Sequence, residues 1–420
     1  MKKKGIIILC IAAVLIGVVF FFRTPIISFF SDYTKNFKQN ISIIAELLDI
    51  KLPESCQGSS GSMNEEDLPL TEYEKLQIET EKQKEIDNSE YQETNVDHTG
   101  KNIALEYASS GRFARYDGGV LCVTDTTLAC YSKDGEKLWS EPIQISSPVL
   151  DVSAGYALIY EKNGSRLTVY HNGKFAFSKT VKGNIKTGAV SAAGDVSIVF
   201  ERDEYKGSVM VLNKKGEEVY LWNSGKYGVI DADMSQSRKL AVSLLDTEDT
   251  VSSKIYFFDI SKSEVKDKLD VKNSVIFDID FDGEILNAYA DDRIIGVSTK
   301  ASIKWEYELK DRNIVRYAMT DGGTKVIVFD DDNTSEIMLI SAAGDEKDKI
   351  KSDVLTDIID IYDNRVLYND GRTLVVSDLG GEVLSKYVCS RDIKRAYIID
   401  KNHILIVYSS SIEFLSVEGE

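Results

Sequence analysis

Three aspartates at every second position, Asp278, Asp280 and Asp282, are the residues of this sequence best spaced for chemistry. A glycine, Gly283, and an aliphatic residue, Ile285, come soon after them. Alternating carboxylates followed by the glycine of a sharp turn are typical of calcium-binding loops, in which oxygen ligands wrap around the ion. The pattern therefore predicts a Ca²⁺ site formed by Asp278, Asp280 and Asp282.

A second interpretation of these aspartates is structural. The twelfth position of the loop, where a calcium site needs a bidentate carboxylate, is Tyr289. Ile279 and Phe281 alternate with the acids, as residues of a β-strand do. Acids recur at comparable places elsewhere, at Asp151, Asp231, Asp233, Asp360 and Asp363. The sequence favours this interpretation, in which the carboxylates accept hydrogen bonds at the ends of inner strands.

A disulfide is the other bond that the sequence predicts. Cys122 and Cys130 flank the segment Asp125-Thr126-Thr127 symmetrically. In a hairpin with that three-residue loop, the two cysteines would face each other across the ladder, close enough to bridge. The sequence favours the alternative, in which the cysteines are two small buried apolar side chains on one face of a blade.

The sequence has few residues suited to other kinds of chemistry. His98, His171 and His403 are the three histidines, too few and too scattered for a nucleophile–base pair or an imidazole metal site. The net charge is −18, and no cluster of Lys and Arg follows the first four residues, which argues against nucleic acid as a partner. We expect no enzymatic activity and no cofactor.

The spacing of the tryptophans reveals a repeat, and the repeated unit must position the aspartates and cysteines named above. Trp139, Trp222 and Trp305 are separated by 83 residues both times, and half of that interval is the length of one propeller blade. The spacing predicts an all-β fold, a β-propeller of eight four-stranded blades, with seven as the alternative. We expect Ile103 to Tyr107 to supply the missing outer strand of the last blade. The predicted inner strands lie near Phe113, Leu150, Gly188, Ile230, Phe277, Arg316, Ile358 and Ala396.

The phrase around the first tryptophan carries a family resemblance. Lys133 to Trp139 reads Lys-Asp-Gly-Glu-Lys-Leu-Trp, and a looser copy runs from Lys215 to Trp222. Both resemble the repeat of the PQQ-like, quinoprotein-type propellers. The copy from Lys300 to Trp305 lacks the glycine, and a later one has Tyr387 as its aromatic residue. The resemblance implies that the aromatic residue of the outer strand docks against the neighbouring blade; it implies no chemistry.

The N-terminal quarter has a different composition. Residues 1–23 are predicted to form a transmembrane anchor, because an uncharged run from Gly5 to Phe22 spans about 27 Å as a helix. The lysines before it place the N-terminus inside and the propeller outside the cytoplasmic membrane. Residues 24–50 are predicted to form an amphipathic helix, residues 51–100 an acidic disordered tether, and residues 101–420 the propeller.

The amphipathic segment leaves two alternatives open. Its apolar stripe from Ile26 to Leu48 is either a seam for self-association or a surface lying on the membrane. The whole layout, an anchor, a tether and a degenerate propeller, also resembles uncharacterised membrane-anchored propeller proteins of Gram-positive bacteria.

These observations favour a non-enzymatic, membrane-anchored, extracytoplasmic β-propeller. We expect it to act as a protein-binding or scaffold module of the cell envelope, with an envelope protein or cell-wall material as its partner. The alternatives are a sensor of a small ligand or carbohydrate, and, less favoured, a quinoprotein-like or hydrolytic enzyme.

Overall fold

The computed structural model describes residues 100–416, apart from residues 107, 249, 263, 264, 311, 321, 332 and 333. The predicted anchor, the amphipathic helix and the tether up to residue 99 lie outside the described residues. Within the described part, every regular element is a β-strand, and no helix long and apolar enough to cross a membrane occurs there.

The described residues form 32 strands, of which β1 (Gly100–Ala104) comes first. Blade 1 contains β2 (Arg112–Tyr116), β3 (Gly119–Val123), β4 (Thr127–Ser132) and β5 (Lys137–Pro142). Blade 2 contains β6 (Pro148–Ser153), β7 (Tyr156–Glu161), β8 (Arg166–His171) and β9 (Lys174–Thr180). Blade 3 contains β10 (Ile185–Val190), β11 (Val196–Phe200), β12 (Ser208–Leu212) and β13 (Glu218–Asn223). Blade 4 contains β14 (Gly228–Met234), β15 (Lys239–Asp246), β16 (Ser252–Asp259) and β17 (Val265–Val271).

The second half repeats this order. Blade 5 contains β18 (Ile276–Asp282), β19 (Ile285–Ala290), β20 (Arg293–Ser298) and β21 (Ile303–Glu308). Blade 6 contains β22 (Ile314–Met319), β23 (Lys325–Asp331), β24 (Thr334–Ile340) and β25 (Glu346–Ser352). Blade 7 contains β26 (Ile359–Tyr362), β27 (Arg365–Asp370), β28 (Thr373–Asp378) and β29 (Val383–Val388). Blade 8 contains β30 (Arg395–Asp400), β31 (His403–Val407), β32 (Ser411–Ser416) and, as its outer strand, β1.

The fold is thus a propeller of eight antiparallel four-stranded blades, as predicted. The ring closes where β1 pairs antiparallel with β32, with Gly100 opposite Leu415 and Ala104 opposite Ser411. This outer strand lies three residues before the predicted segment, because Leu105 already belongs to the loop into blade 1. The predicted inner strands are confirmed: all eight positions fall in or next to the first strand of a blade, and Ile358 lies one residue before β26.

The middle strands supply the core between blades. Strands β3, β11 and β12 are buried along their whole length, because blades stack face to face and cover both faces of each sheet. One cluster joins Leu158, Tyr160 and Leu167 of blade 2 to Val196 and Ile198 of blade 3. The apolar runs of the sequence are therefore the contacts that hold consecutive blades together.

In blades 2, 3, 6 and 7, the turn between the third and fourth strands docks the blade onto the one before it. A glycine with positive φ lies in these turns, and an apolar side chain of the preceding outer strand packs against it. The pairs are Gly173 with Trp139, Gly216 with Phe177, Gly344 with Trp305 and Gly381 with Ile350. Docking of the outer-strand aromatic residue against the neighbouring blade, which the resemblance implied, is present at Trp139 and Trp305.

The predicted disulfide is wrong. Cys122 and Cys130 are both free and buried. The hairpin pairs Cys122 with Ala129 and Leu121 with Cys130, and Thr124 bonds to Thr127 across a two-residue loop. A loop of two residues instead of three shifts the register by one, which turns the two thiols to opposite faces of the sheet. Burial raises the pKa of Cys122 to about 12 and that of Cys130 to about 11.

Substitution of a turn glycine tests the docking of the blades. In Gly344→Ala, the new Cβ would lie 2.6 Å from the Trp305 ring, whereas Gly371→Ala, also at positive φ, meets open space. Both changes cost about 1–2 kcal/mol of backbone strain, and we expect Gly344→Ala to lose a further ~1–3 kcal/mol through the clash. Urea unfolding of both variants measures the difference; equal midpoints would show that the turn does not dock on Trp305.

Candidate functional site

Aspartates of the inner strands gather around the central channel of the propeller. They come from three blades: Asp151 from β6, Asp231 and Asp233 from β14, and Asp278 and Asp280 from β18. We call these five residues the channel acids. Blade 3, between the contributing blades 2 and 4, places Gly188 in its inner strand, with the ring of Tyr160 close to its Cα.

Several of these carboxylates bond to the next blade. The amide of Ile279 donates to Asp231 at 3.3 Å, that of Phe281 to Asp233 at 2.7 Å, and that of Val190 to Asp151 at 2.6 Å. Asp360 repeats the arrangement, accepting the amide of Ile398 at 2.8 Å. The inner strand of a blade is a sheet edge whose N–H groups on the channel side have no partner strand, so an aspartate of the preceding blade satisfies them.

The calcium loop predicted on Asp278, Asp280 and Asp282 is not formed. All three lie within strand β18, where side chains alternate and acids two positions apart cannot wrap one ion as a loop does. Among residues 100–416 as described, no group of three or more His, Cys, Asp or Glu side chains is arranged to hold a metal. As the structural interpretation predicts, backbone amides donate to four of the acids, Asp151, Asp231, Asp233 and Asp360. Asp363, in contrast, lies in the turn after β26.

Blade 5 departs from this pattern. Its pair Asp278 and Asp280 corresponds to Asp231 and Asp233 of blade 4, since both pairs directly follow a bulge in the inner strand. Asp278 accepts the hydroxyl of Tyr317 from blade 6, rather than a backbone amide. No donor from the described residues bonds to the carboxylate of Asp280, which is exposed to solvent in the channel. Asp280 therefore has no role in joining the blades.

Aromatic rings fill the joint between blades 5 and 6. Tyr289 of β19 stacks on Tyr317, with ring centroids 4.3 Å apart and planes 24° apart, and Phe277 lies 6.5 Å from Tyr317. Tyr289 is 1 % exposed, and its hydroxyl is buried with no partner among the described residues. Tyr289 is also the register partner of Asp278, so both side chains lie on the face of blade 5 that turns to blade 6.

The channel acids hold protons at pH values where ordinary carboxyl groups have lost them. Burial raises the pKa of Asp151 to about 6 and that of Asp233 to about 8. Burial, and then the charge of Asp231, raises the pKa of Asp278 well above its ordinary value.

Burial and the charge of Asp233 raise the pKa of Asp280 in the same direction. Solvent in the channel reaches Asp280, so charging it costs less than charging Asp278, whose carboxyl is enclosed. Among the channel acids, Asp280 is therefore the one that solvent reaches most.

A buried lysine lies at one end of the same joint. Lys325 is 0 % exposed, its ammonium donates to the Gly323 carbonyl at 2.7 Å, and it lies 4.7 Å from the centroid of the Trp305 ring. Burial lowers the pKa of Lys325 to about 8, against the opposing effect of Asp282 and Asp280. An aromatic face, a carbonyl and nearby carboxylates thus stabilise an ammonium group inside the protein.

Sequence reasoning found the aspartates but not the groups around them. Tyr289 drew attention only as a residue unsuited to bind calcium. Nothing in the sequence distinguishes Tyr317 or Lys325 from other strand residues, because their contacts come from the neighbouring blade. The recurrence of acids on inner strands was the one usable signal, and it located the channel.

The raised pKa values predict that stability falls as pH rises. Asp233 in the folded protein binds its proton up to about pH 8, whereas the unfolded chain releases it near pH 4, so raising the pH favours unfolding. We expect Asp233→Asn to lessen the loss of stability between pH 5 and 8 by about 1.4 kcal/mol per pH unit for the one proton. Urea unfolding at several pH values measures this slope.

The slope, rather than the stability at one pH, is the readout for Asp233→Asn. The variant loses one of the two backbone hydrogen bonds that Asp233 accepts, from Met234 and Phe281, so it is less stable at low pH by about 1 kcal/mol. Asp203→Asn, in an exposed loop, is the control and keeps the wild-type slope. If Asp233→Asn also keeps it, the channel proton is not on Asp233.

Solved structures with similar backbones share the propeller fold. The computationally designed Ika8 protein is 15 % identical, with a TM-score of 0.56, over 76 % of this chain and 98 % of Ika8. The Dos1 propeller is 12 % identical, with a TM-score of 0.52, over 76 % of this chain and 95 % of that one. BamB from Moraxella catarrhalis is 9 % identical, with a TM-score of 0.49, over 76 % of this chain and 99 % of BamB. At these identities, the likeness to Ika8 and to the Dos1 propeller shows the fold alone.

The sequence itself matches a known family. No curated protein matches the chain. Residues 87–417 match the model of a family described as "Family of unknown function (DUF5711)". This match includes all eight blades and most of the chain. The chain therefore belongs to the DUF5711 family.

Proposed function

We propose that the protein is a membrane-anchored propeller that binds proteins of the cell envelope outside the cytoplasm, and that it is not an enzyme. The fold is typical of protein-interaction and scaffold modules, because rigid blades hold variable loops in one plane. The uncharged run from Gly5 to Phe22, with lysines before it, supports the anchor and its orientation.

The observation that carries the proposal is the place where the chain joins the ring. Strand β1 begins at Gly100 on the face formed by loops such as 117–118 and 133–136, which we call the proximal face. The opposite, distal face consists of the loops within blades such as 124–126 and those between blades such as 143–147. The chain enters the propeller on the proximal face, so an anchor that precedes Gly100 would connect there, and we propose the distal face as the one that meets a partner.

The distal face also has a recess. At blade 4 it contains a cavity of about 400 Å³, whose lining includes Lys226, Glu248, Lys254 and Asp270. Ion pairs span this cavity, with Lys226 2.7 Å from Glu248 and Lys254 2.8 Å from Asp270. Such a mixed, polar recess fits a protein surface better than an apolar small molecule.

Apolar side chains accompany the recess. Val251, in the loop beside it, is 47 % exposed, and Val388, at the distal end of β29, is 81 % exposed. Tyr205 and Leu355 are exposed on the same face. Further exposed apolar residues, among them Leu138 and Ile303, lie near the proximal ends of the outer strands.

The described histidines support a non-enzymatic function. His171 stacks on Tyr156 with centroids 3.9 Å apart. His403 is buried between Asp400, at 2.7 Å, and Asp134, at 3.2 Å. Both imidazoles join neighbouring parts of the fold, and none of the contacts of either pairs it with a serine or cysteine nucleophile.

Site-specific crosslinking in native membranes tests the proposal. We place the photoreactive residue p-benzoylphenylalanine at Val388 or Val251 on the distal face, and at Ile303 or Leu138 near the proximal face as matched exposed apolar positions. We expect distinct protein adducts from the distal positions and several-fold fewer from the proximal ones. Mass spectrometry of the adducts identifies the partner.

Two outcomes would contradict parts of this proposal. Adducts confined to the proximal positions would overturn the assignment of the face, and no adduct at any position would overturn the scaffold function. Labelling of intact cells with a membrane-impermeant amine reagent tests the topology separately. We expect lysines of the propeller to be labelled without lysis; labelling only after lysis would place the propeller inside.

A function in sensing a small ligand is the second candidate. One observation favours it, the convergence of acidic and aromatic side chains on the inner strands of blades 4 to 6.

A further inference from the structure

We propose that the distal end of the joint between blades 8 and 1 binds a small molecule through an oxyanion group, carboxylate or phosphate, which the guanidinium groups of Arg112 and Arg395 hold between them. The site is separate from the channel acids, which belong to blades 2, 4 and 5. The inference goes beyond the scaffold function and starts from two positive charges that no described carboxylate pairs with.

Both arginines lie at the distal ends of inner strands. Arg395 is the first residue of β30, and Arg112 is the first residue of β2. Each residue is partly exposed, so solvent reaches both side chains. The strands β30 and β2 are set further apart than most neighbouring inner strands. The two arginines therefore meet at the distal end of a wide joint.

One backbone carbonyl brings the two guanidinium groups together. Nη1 of Arg112 donates to the carbonyl of Ser110 at 2.9 Å and to that of Gly111 at 3.3 Å. Nη1 of Arg395 donates to the same carbonyl of Gly111. Each guanidinium has five N–H donors, so most of the donors of the pair stay available for another acceptor. Two like charges in contact are unfavourable unless an anion joins them.

The nearby acids do not neutralise this pair. Neither guanidinium forms an ion pair with a carboxylate of the described residues. The buried carboxylate of Asp360 already pairs with Arg115 at 2.7 Å. Burial, and then the charge of Arg395, lowers the pKa of Arg112, and the opposing effect of Asp125 is smaller. In a chain with a net charge of −18, the joint is thus a local site of positive charge.

The surroundings of the pair also favour an anion. Tyr397 follows Arg395 on the same face of β30, and its ring lies 6.2 Å from that of Phe113 in β2. These rings fill the joint on the proximal side of the arginines. In the loop before β30, Arg391 and Lys394 are exposed, and neither forms an ion pair with a described carboxylate. Such a field attracts anions to this end of the propeller.

The donor geometry selects an oxyanion. A guanidinium is planar and presents its N–H groups as a fork, which matches two oxygens of a carboxylate or a phosphate. An oxyanion between two such forks accepts hydrogen bonds from both and removes the repulsion between them. Carboxylate and phosphate groups share this chemistry, so the probes must distinguish them.

Titration calorimetry with the full-length protein in Tris-chloride buffer tests the site. The probes are inorganic phosphate and succinate, and sodium chloride at equal ionic strength is the comparison. We expect at least one probe to bind with a Kd below about 1 mM and to raise the urea midpoint as its concentration rises. Binding of phosphate alone assigns a phosphate ligand, and binding of succinate alone assigns a carboxylate ligand.

Substitutions of the arginines locate the binding. We expect Arg112→Gln and Arg395→Gln each to weaken it by at least about tenfold, since each removes one charged fork. Arg395→Lys keeps the charge but loses the fork, so a several-fold loss is expected. Arg166→Gln, at an exposed arginine on the distal end of β8, is the matched control and should bind as the wild type does. Circular dichroism and the urea midpoint verify that each variant is folded.

The possible results are distinguishable. Binding that both glutamine variants at the joint weaken, and that the control keeps, supports the site. Absence of binding of both probes to the wild type, binding by either glutamine variant equal to that of the wild type, or an equal effect of sodium chloride would each overturn it. Crosslinks from Val388 and Val251 do not depend on these anions, so failure of the oxyanion site and failure of the scaffold function are separate outcomes.

Discussion

The fold depends on satisfying the inner edge of each blade. Face-to-face packing covers the sheets, but the inner strands leave backbone N–H groups directed into the channel without a partner strand. Asp151, Asp233 and Asp360 each supply the missing acceptor from the preceding blade. This solution has an electrostatic effect: it gathers carboxyl groups in a confined space, where burial and mutual repulsion favour their protonated forms. The acidity of the channel is thus a by-product of building the ring.

Two joints of the ring differ from the other six. The inner strands β18 and β22, and likewise β30 and β2, are set further apart than the remaining neighbours. Aromatic rings meet across both gaps, Tyr289 with Tyr317 at the first and Phe113 with Tyr397 at the second. At the second gap, Arg115 of blade 1 passes blade 8 to bond Asp360 of blade 7 at 2.7 Å and the carbonyl of Ile398 at 2.9 Å. That cation neutralises a buried carboxylate. The gap between blades 5 and 6 holds Asp278 and Asp280 instead, and the ammonium of Lys325 lies at one end of it.

The sequence was informative about the repeat and poorly informative about the joints. The spacing of Trp139, Trp222 and Trp305 revealed the blade length, and strand patterns recurring at about that length placed eight inner strands, because blade length is set by strand and turn lengths within one sheet. The hairpin at Cys122 failed because one residue of loop length, which composition does not reveal, changes the face of every side chain. The sequence could not predict that Asp233 bonds to the next blade and Asp280 does not. The two residues occur in similar sequence patterns and differ only in the distance to the inner strand of the next blade.

The pairing of β1 with β32 also constrains how the protein can fold. These strands are more than 300 residues apart in the chain, and β1 pairs with no other strand of blade 8. During synthesis, the early blades can assemble one after another as they emerge, while β1 must wait unpaired until the last strand has been made. Contacts of such long sequence separation slow folding and expose an open edge in the meantime. Closure of the ring is therefore a late step of folding, and the blades can unfold as one unit only after it. Weakening the last blade should leave a ring in which the other blades are formed but β1 and β32 are unpaired.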